Sequence, residues 1–279
     1  MLSYLKLLRP HHWIKNFFIF VPIFFAKEIF VWEKLENTLL AFVVFCLAAS
    51  AVYVVNDIVD RDQDAKHPVK KKRPIASGKV SIGTAILMVI SLLIMAAIIV
   101  WQWIPAISYV VLIYLGLNLV YSFYLKHQAI FDVLLISALY LVRIIGGGFA
   151  TNTPISSWLI LCTLFVTLFM ILGKRKAELM HKKKRKVLSA YNPIVLDHLL
   201  TITVALTLIS YSLYSVLAIN SSYAVFSIFF VLLAMFRYLH LTYSEKGEAE
   251  NPEKIILKDQ VILGSILSWG IFMFIIFYY

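Results

Sequence analysis

Four aspartates lie close together between Asn56 and Asp64 and carry the clearest chemical signal in the chain. In a helix, with about 100° per residue, Asp57, Asp60 and Asp64 fall within about 60° of one face, and Asp62 points nearly the opposite way. Three carboxylates on one face repel each other, and a divalent cation removes that repulsion. Carboxylate oxygens suit Mg²⁺, which takes one or two of them together with substrate phosphate oxygens. The spacing therefore predicts that Asp57, Asp60 and Asp64 bind a catalytic Mg²⁺.

A basic segment from Lys66 to Lys79 follows the aspartates. Arg and Lys side chains bind phosphate groups, so beside a metal site they predict a polyphosphate substrate. Two alternatives stay open. The aspartates could form a solvated acidic helix end that Arg61 and Lys66 balance, and the basic run could be a loop that contacts anionic lipid.

The elements that position these residues must lie in a membrane, because the composition excludes a soluble domain. Apolar and aromatic residues make up 61% of the 279 positions, charged residues only 15%, and the mean hydropathy is +0.86. Soluble domains carry about 25% charged residues. This balance excludes a cytosolic enzyme, an ordinary nucleic-acid-binding protein and a disordered chain. The net charge of +11 is expected as cytoplasmic-loop charge.

Nine apolar segments are long enough to cross the roughly 30 Å of hydrocarbon as helices. We therefore predict an all-α polytopic membrane protein, a single domain over residues 1–279, with nine transmembrane helices around a cytoplasm-facing cavity. No segment shows the alternation of a membrane barrel strand. The predicted spans lie near 14–31, 38–58, 82–101, 104–123, 130–150, 156–173, 197–218, 222–242 and 258–278.

The distribution of basic residues predicts the orientation. All but three of the 26 Lys and Arg residues sort to one side of the nine spans, and the exceptions are Lys27, Lys34 and Arg143. Basic loops mark the cytoplasmic side, so the N-terminus is predicted inside and the C-terminus outside. The chain is then a multi-pass protein of the plasma (inner) membrane, with its active site facing the cytoplasm.

These motifs resemble the UbiA-type intramembrane prenyltransferases, which are nine-helix proteins that use Mg²⁺ and pyrophosphate substrates. The segment from Asn56 to Gly78 is similar to the NDxxDxxxD motif of that family and the loop after it. The resemblance is closer to one branch, the polyprenyl-phosphate phosphoribosyltransferases. Further segments that resemble the branch are 8–16, 121–127, 143–147, 173–179 and 236–238, with Gly247, Pro252 and Glu253.

The resemblance implies two substrates, 5-phosphoribosyl 1-pyrophosphate and a polyprenyl phosphate, with phosphoribose transferred to the lipid and pyrophosphate released. Most UbiA-type enzymes carry a second acidic DxxxD motif after the sixth span, where this chain has Lys174, Arg175 and Glu178. Two cations there favour direct binding of a phosphate. The alternative is a basic helix end against lipid headgroups, which is also our interpretation of the run from Lys182 to Lys186.

Residues outside the two motifs complete the predicted site. Lys126 is similar to a phosphate-binding lysine of the family, although a lysine that anchors a span end fits equally well. A small polar set at the first span consists of Arg9, Lys15 and Asn16. Arg143 lies deep in a span, where it is either a structural charge or a site that binds an anion. The predicted substrate-binding residues are Lys15, Asn56, Arg61, Lys66, Arg73, Tyr121, Lys126, Lys174, Arg175 and Glu178.

Two other functions stay open. A UbiA-type polyprenyltransferase acting on an aromatic acceptor would use the same first metal site, but it would need acidic residues at the second motif. A lipid transporter or flippase would place polar residues along the membrane midplane and often show internal symmetry between its halves. Here the polar residues gather at one face, which favours the enzyme.

Overall fold

The computed structural model describes residues 2–180, 186–244 and 248–279, and every regular element in those ranges is a helix. Gly247 and most of the basic run from Lys182 to Lys186 lie outside the described residues. The chain forms two compact units. The first comprises Met1–Phe123 and Val142–Pro154, and the second comprises Tyr124–Leu141 and Ile155–Tyr279.

In the first unit, the long helices α3 (Trp32–Val59) and α5 (Ile82–Trp103) pack against each other. Most of the apolar stretch of α3 is buried, whereas only a small part of that of α5 is buried. Small residues such as Ala48 and Ala49 let neighbouring helices approach α3 closely, and Leu87 and Ile94 of α5 face outward, as expected for contact with lipid. The α-helices that begin in this unit are α1 (Leu2–Leu8), α2 (Val21–Phe25), α3 (Trp32–Val59), α4 (Arg61–Ala65), α5 (Ile82–Trp103) and α6 (Ser108–Phe123).

The second unit is built from helix pairs. In one pair α8 (Ser157–Met180) packs on α9 (Pro193–Leu217), and in the other α10 (Ile228–Thr242) packs on α12 (Gln260–Tyr278). Its apolar core includes Phe169, Leu196, Leu200 and Met235. The helix α7 (Phe131–Thr151) begins in this unit and ends in the first. The remaining α-helices are α8 (Ser157–Met180), α9 (Pro193–Leu217), α10 (Ile228–Thr242), α11 (Pro252–Lys258) and α12 (Gln260–Tyr278).

Short 3₁₀-helices extend or connect these α-helices. Two of them lengthen the apolar segments that lead into α6 and α10. The 3₁₀-helices are Pro10–Phe20, Lys70–Lys72, Pro105–Ile107, Leu125–His127, Lys186–Ala190, Ser222–Ser227 and Glu248–Glu250.

Eight of the nine predicted spans are confirmed among the described residues as helices long and apolar enough to cross a membrane. The predicted span at 14–31 is different, because it consists of the 3₁₀-helix Pro10–Phe20 followed by α2. Pro22 has no N–H to continue the hydrogen-bond ladder of the preceding turn, which explains the break. A 3₁₀-helix rises about 2.0 Å per residue, so the two elements together extend about 30 Å despite their few residues. The count of nine regular helices is not confirmed.

Candidate active site

A small apolar cluster holds the basic loop against the helix that carries the aspartates. Ile75 and Val80 of the loop are buried with Leu7 of α1, Val54 of α3 and Ala85 of α5. The hydrophobic contact removes apolar side chains from water and so fixes the path of the loop. The loop therefore returns across the end of α3.

The loop turns sharply after its arginine. The N–H of Ser77 donates to the carbonyl of Arg73 at 2.9 Å, and the N–H of Gly78 donates to that of Ile75 at 3.1 Å. Gly78 has a φ of 74°, a left-handed conformation that glycine adopts without steric cost. The motif glycine thus serves the backbone turn that positions Arg73.

Arg73 joins two buried aspartates. Its Nη1 donates to Asp57 Oδ1 at 3.0 Å and to Asp64 Oδ2 at 2.5 Å. Asp57 is 3% exposed and Asp64 2%. Because one guanidinium nitrogen contacts both carboxylates, the two aspartates lie on the same side of the chain, in agreement with their helical spacing.

The backbone between these aspartates is nearly helical. The helix α3 ends at Val59 and α4 begins at Arg61, with Asp60 at the junction. The N–H of Asp60 still donates to Asn56, and the N–H of Asp64 donates to Asp60, both over the usual four-residue spacing. The interruption is therefore small, and it leaves Asp62 exposed.

Arg9 is a second cation on the same aspartate. Its Nη2 lies 2.6 Å from Asp57 Oδ1, and its guanidinium lies over the Tyr53 ring at 5.2 Å. Arg9 has a φ of 50° although it precedes Pro10, a combination that sterics disfavour. Strained residues of this kind cluster at functional sites. The sequence placed Arg9 only in a polar set, because its contact with Asp57 spans 48 positions.

The electrostatics of this aspartate cluster favour an anionic ligand. Lys70 Nζ lies 3.6 Å from Asp64 Oδ1, so three cations contact two carboxylates. The carboxylates are buried, whereas Arg9, Arg73 and Lys70 are partly exposed. Cations that are already desolvated on one side and open on the other are suited to bind phosphate oxygens.

The structure assembles two of the three predicted metal ligands. The described residues include no group of three Asp, Glu, His or Cys side chains arranged to hold a metal ion. Asp60 is half-buried at the helix junction between Asp57 and Asp64. Two buried hard carboxylates fit Mg²⁺ when the remaining ligands are phosphate oxygens and water.

The other residues predicted for the first unit differ in exposure. Arg61 and Lys66 are exposed beside the aspartate cluster. Asn56 of α3, Lys15 of the first 3₁₀-helix and Tyr121 of α6 are half-buried.

In the second unit, Arg175 lies in a buried ion-pair network. Its Nε donates to Asp132 Oδ2 and its Nη1 to Glu178 Oε2, both at 2.8 Å, and the residue is 1% exposed. The Tyr191 hydroxyl donates to Asp132 Oδ1 at 2.6 Å and accepts from the N–H of Ile130 at 2.9 Å. Burial, and next the hydrogen bond to Asp132, raise the pKa of Tyr191. This geometry gives Arg175 carboxylate partners, whereas the sequence suggested an open phosphate-binding cation.

Two further cations predicted for the second unit are less buried than Arg175. Lys174 and Lys126 are half-buried. The neighbouring Lys176 is buried, and its Nζ lies 2.7 Å from Asp197 Oδ1 and over the Tyr243 ring. Burial, together with the hydrogen bond to Asp197, raises the pKa of Tyr243 to about 12. Lys174 and Lys126 therefore stay the phosphate-binding predictions for this unit.

Arg143 has buried polar contacts within the first unit. Its Nε donates to Asn16 Oδ1 at 2.7 Å, and its Nη2 donates to the Tyr114 hydroxyl at 2.9 Å. The guanidinium also lies 4.8 Å from the Tyr114 ring centre. These contacts join α7 to α6 and to the first 3₁₀-helix, which corresponds to the structural one of the two roles that the sequence left open.

The fold and the site define an all-helical, membrane-spanning protein with a buried aspartate pair beneath a basic loop. Residues 17–257 match the UbiA prenyltransferase family. The chain therefore belongs to that family.

Several curated relatives match this chain over most of their own length. The decaprenyl-phosphate phosphoribosyltransferase of Mycobacterium tuberculosis is 35% identical, over 95% of this chain and 90% of its own. The enzymes of the same name from Mycolicibacterium smegmatis and Corynebacterium glutamicum are 34% and 32% identical, over 95% of this chain and 89% and 83% of theirs.

Solved structures show the same fold. A UbiA homolog from Archaeoglobus fulgidus bound to DMAPP and Mg²⁺ superposes with a TM-score of 0.76 at 17% identity, over 99% of both chains. The same homolog bound to GPP and Mg²⁺ gives a TM-score of 0.74, over 99% of this chain and all of that one.

Proposed function

We propose that this chain transfers 5-phosphoribose from 5-phosphoribosyl 1-pyrophosphate to a polyprenyl phosphate and releases pyrophosphate, with Mg²⁺ as cofactor. The relatives carry the substrate assignment, because the named phosphoribosyltransferases are 32–35% identical over 95% of this chain. The aspartate cluster carries the chemistry, because two buried carboxylates with three partly exposed cations suit a metal-bound pyrophosphate.

Asp57 and Asp64 are the residues that would hold the metal ion, with Asp60 as the third predicted ligand. The UbiA homolog from Archaeoglobus fulgidus that is bound to DMAPP and Mg²⁺ supports a divalent metal in this fold. When bound, Mg²⁺ would neutralise negative charge on the pyrophosphate leaving group.

The basic residues would act on the pyrophosphate itself. Arg73 and Arg9 contact the carboxylates, and N–H groups on their exposed sides can donate charged hydrogen bonds to phosphate oxygens. The bond between ribose C1 and the pyrophosphate oxygen breaks, and its electron pair leaves with the pyrophosphate. A polyprenyl phosphate oxygen forms the new bond to C1. This oxygen is already anionic, so the reaction needs little general-base help. Fixed cations that stabilise the leaving charge then supply the main catalytic effect.

We further propose that this chain lies in the plasma (inner) membrane and that its aspartate cluster faces the cytoplasm. The exposed basic loop that follows the aspartates supports this orientation, since basic loops are retained inside. The donor is a water-soluble phosphate ester, and it would reach the cluster from that side.

The test is transfer by the purified protein with a donor labelled in its ribose. We expect the label to move into the lipid phase with a polyprenyl phosphate and Mg²⁺, and to stay in water when the metal is chelated. Label that never enters the lipid phase under these conditions would refute the proposed reaction.

A further inference from the structure

A cavity of about 190 Å³ lies within the second unit between α8, α10, α11 and α12. Its walls include Val166 and Met170 of α8, Ala234 and Met235 of α10, and Trp269 of α12. We refer to it as the apolar cavity.

The polar groups on its walls have partners within the protein. The Tyr238 hydroxyl donates to the carbonyl of Met170 at 2.8 Å, and Trp269 Nε1 donates to the Tyr211 hydroxyl at 2.6 Å. The Ser265 hydroxyl donates to the backbone of its own helix at 2.7 Å. The walls therefore present hydrocarbon surface, and a ligand there would be held by apolar contact.

The size of the apolar cavity fits a short branched hydrocarbon segment. An apolar cavity of about 150 Å³ in another protein binds benzene, so 190 Å³ accommodates roughly one isoprene unit. Met170 and Met235 on its walls have flexible, polarisable side chains that adapt to irregular shapes.

The cavity also lies close to a predicted phosphate-binding residue along one helix. Met170 precedes Lys174 by four residues on α8, a rise of about 6 Å. A polyprenyl phosphate carries its charge directly on the first isoprene unit. A phosphate near Lys174 would thus bring the first units of its chain to the level of Met170.

We infer that the apolar cavity binds a chain segment of the polyprenyl phosphate acceptor near its phosphate, an inference that rests on the proposed function. Branched isoprene units, rather than the acyl chains of bulk phospholipid, are the occupant that we assign. The cavity then contributes to recognition of the acceptor and not of the sugar donor.

The first test fills the cavity. In Ala234→Phe a ring the size of benzene would occupy most of it, and Leu233→Phe adds the same ring at the neighbouring exposed position as a control. We expect Ala234→Phe to raise the KM for the polyprenyl phosphate by about tenfold, roughly the effect of losing two buried CH₂ groups. The KM for the donor should be unchanged, and the control should match the wild type.

The outcomes separate the two proposals. Wild-type transfer with an unchanged acceptor KM in Ala234→Phe would overturn the cavity assignment and leave the proposed function intact. Wild-type protein that transfers no phosphoribose to any polyprenyl phosphate would overturn both.

A second test does not depend on the folding of a variant. A polyprenyl phosphate with a photoreactive group in its first isoprene units should label the peptides of the wild-type protein that contain Met170 or Met235. Excess unlabelled polyprenyl phosphate should suppress that labelling, and excess phosphatidylglycerol should not. Labelling confined to other peptides, or suppression by phosphatidylglycerol, would overturn the assignment.

Discussion

Replacement of Arg73 by alanine tests whether its guanidinium holds the aspartate cluster together. The change leaves Asp57 and Asp64 buried close to each other without their shared partner. A hydrogen bond to a charged group contributes about 1.5–3 kcal/mol to the free energy of unfolding. The loss of two such bonds would therefore lower that free energy by at least roughly 3 kcal/mol. Arg73 is partly exposed and Arg9 stays on Asp57, which reduces the expected loss to about 2 kcal/mol.

The assay is thermal unfolding of the purified protein in detergent, with and without Mg²⁺. A loss of about 2 kcal/mol lowers the Tm by roughly 5 °C in a chain of this size. In Arg73→Ala a metal ion no longer competes with the guanidinium for the carboxylates. We therefore expect Mg²⁺ to raise the Tm of the variant more than that of the wild type.

Lys71→Ala is the matched control, since it removes one charge from an exposed position in the same loop. It should unfold like the wild type. If Arg73→Ala had the same Tm as this control, and Mg²⁺ shifted both proteins equally, then the guanidinium would not be the partner that balances the aspartates.

Three further predictions concern the metal, the packing and the topology. Asp57→Asn should lower turnover on the order of 100-fold, whereas the exposed Asp62→Asn should keep most of it, and equal sensitivity in steady-state assays would contradict the site geometry. Gly147→Ala should lower the Tm strongly, because its Cβ would lie 2.1 Å from a backbone oxygen, whereas Gly116→Ala meets nothing within 4 Å and should not. A cysteine replacing Lys71 should resist a membrane-impermeant reagent in intact cells and react after permeabilisation, and labelling before permeabilisation would reverse the proposed orientation.

The sequence predicted the parts of the fold that depend on local patterns. Apolar length alone located eight spans, because each spanning helix must satisfy its own backbone hydrogen bonds. It did not predict the 3₁₀ geometry at Pro10–Phe20, since the apolar length of a segment gives no signal that separates the two helix types.

The sequence predicted the acidic residues of the candidate site better than it predicted which side chains contact them. Helical spacing placed Asp57 and Asp64 on one side, where both contact Arg73. The contact of Arg9 with Asp57 and that of Arg175 with Asp132 join residues more than 40 positions apart, and tertiary packing alone creates them.

The most direct test of the central claim compares two substrate pairs on one preparation of the wild-type protein. One pair is ribose-labelled 5-phosphoribosyl 1-pyrophosphate with a polyprenyl phosphate, and the other is a prenyl pyrophosphate with a hydroxybenzoate. We predict Mg²⁺-dependent incorporation of phosphoribose into lipid from the first pair and no prenylated product from the second. Robust prenylation of the hydroxybenzoate, with no phosphoribose in the lipid, would contradict the account.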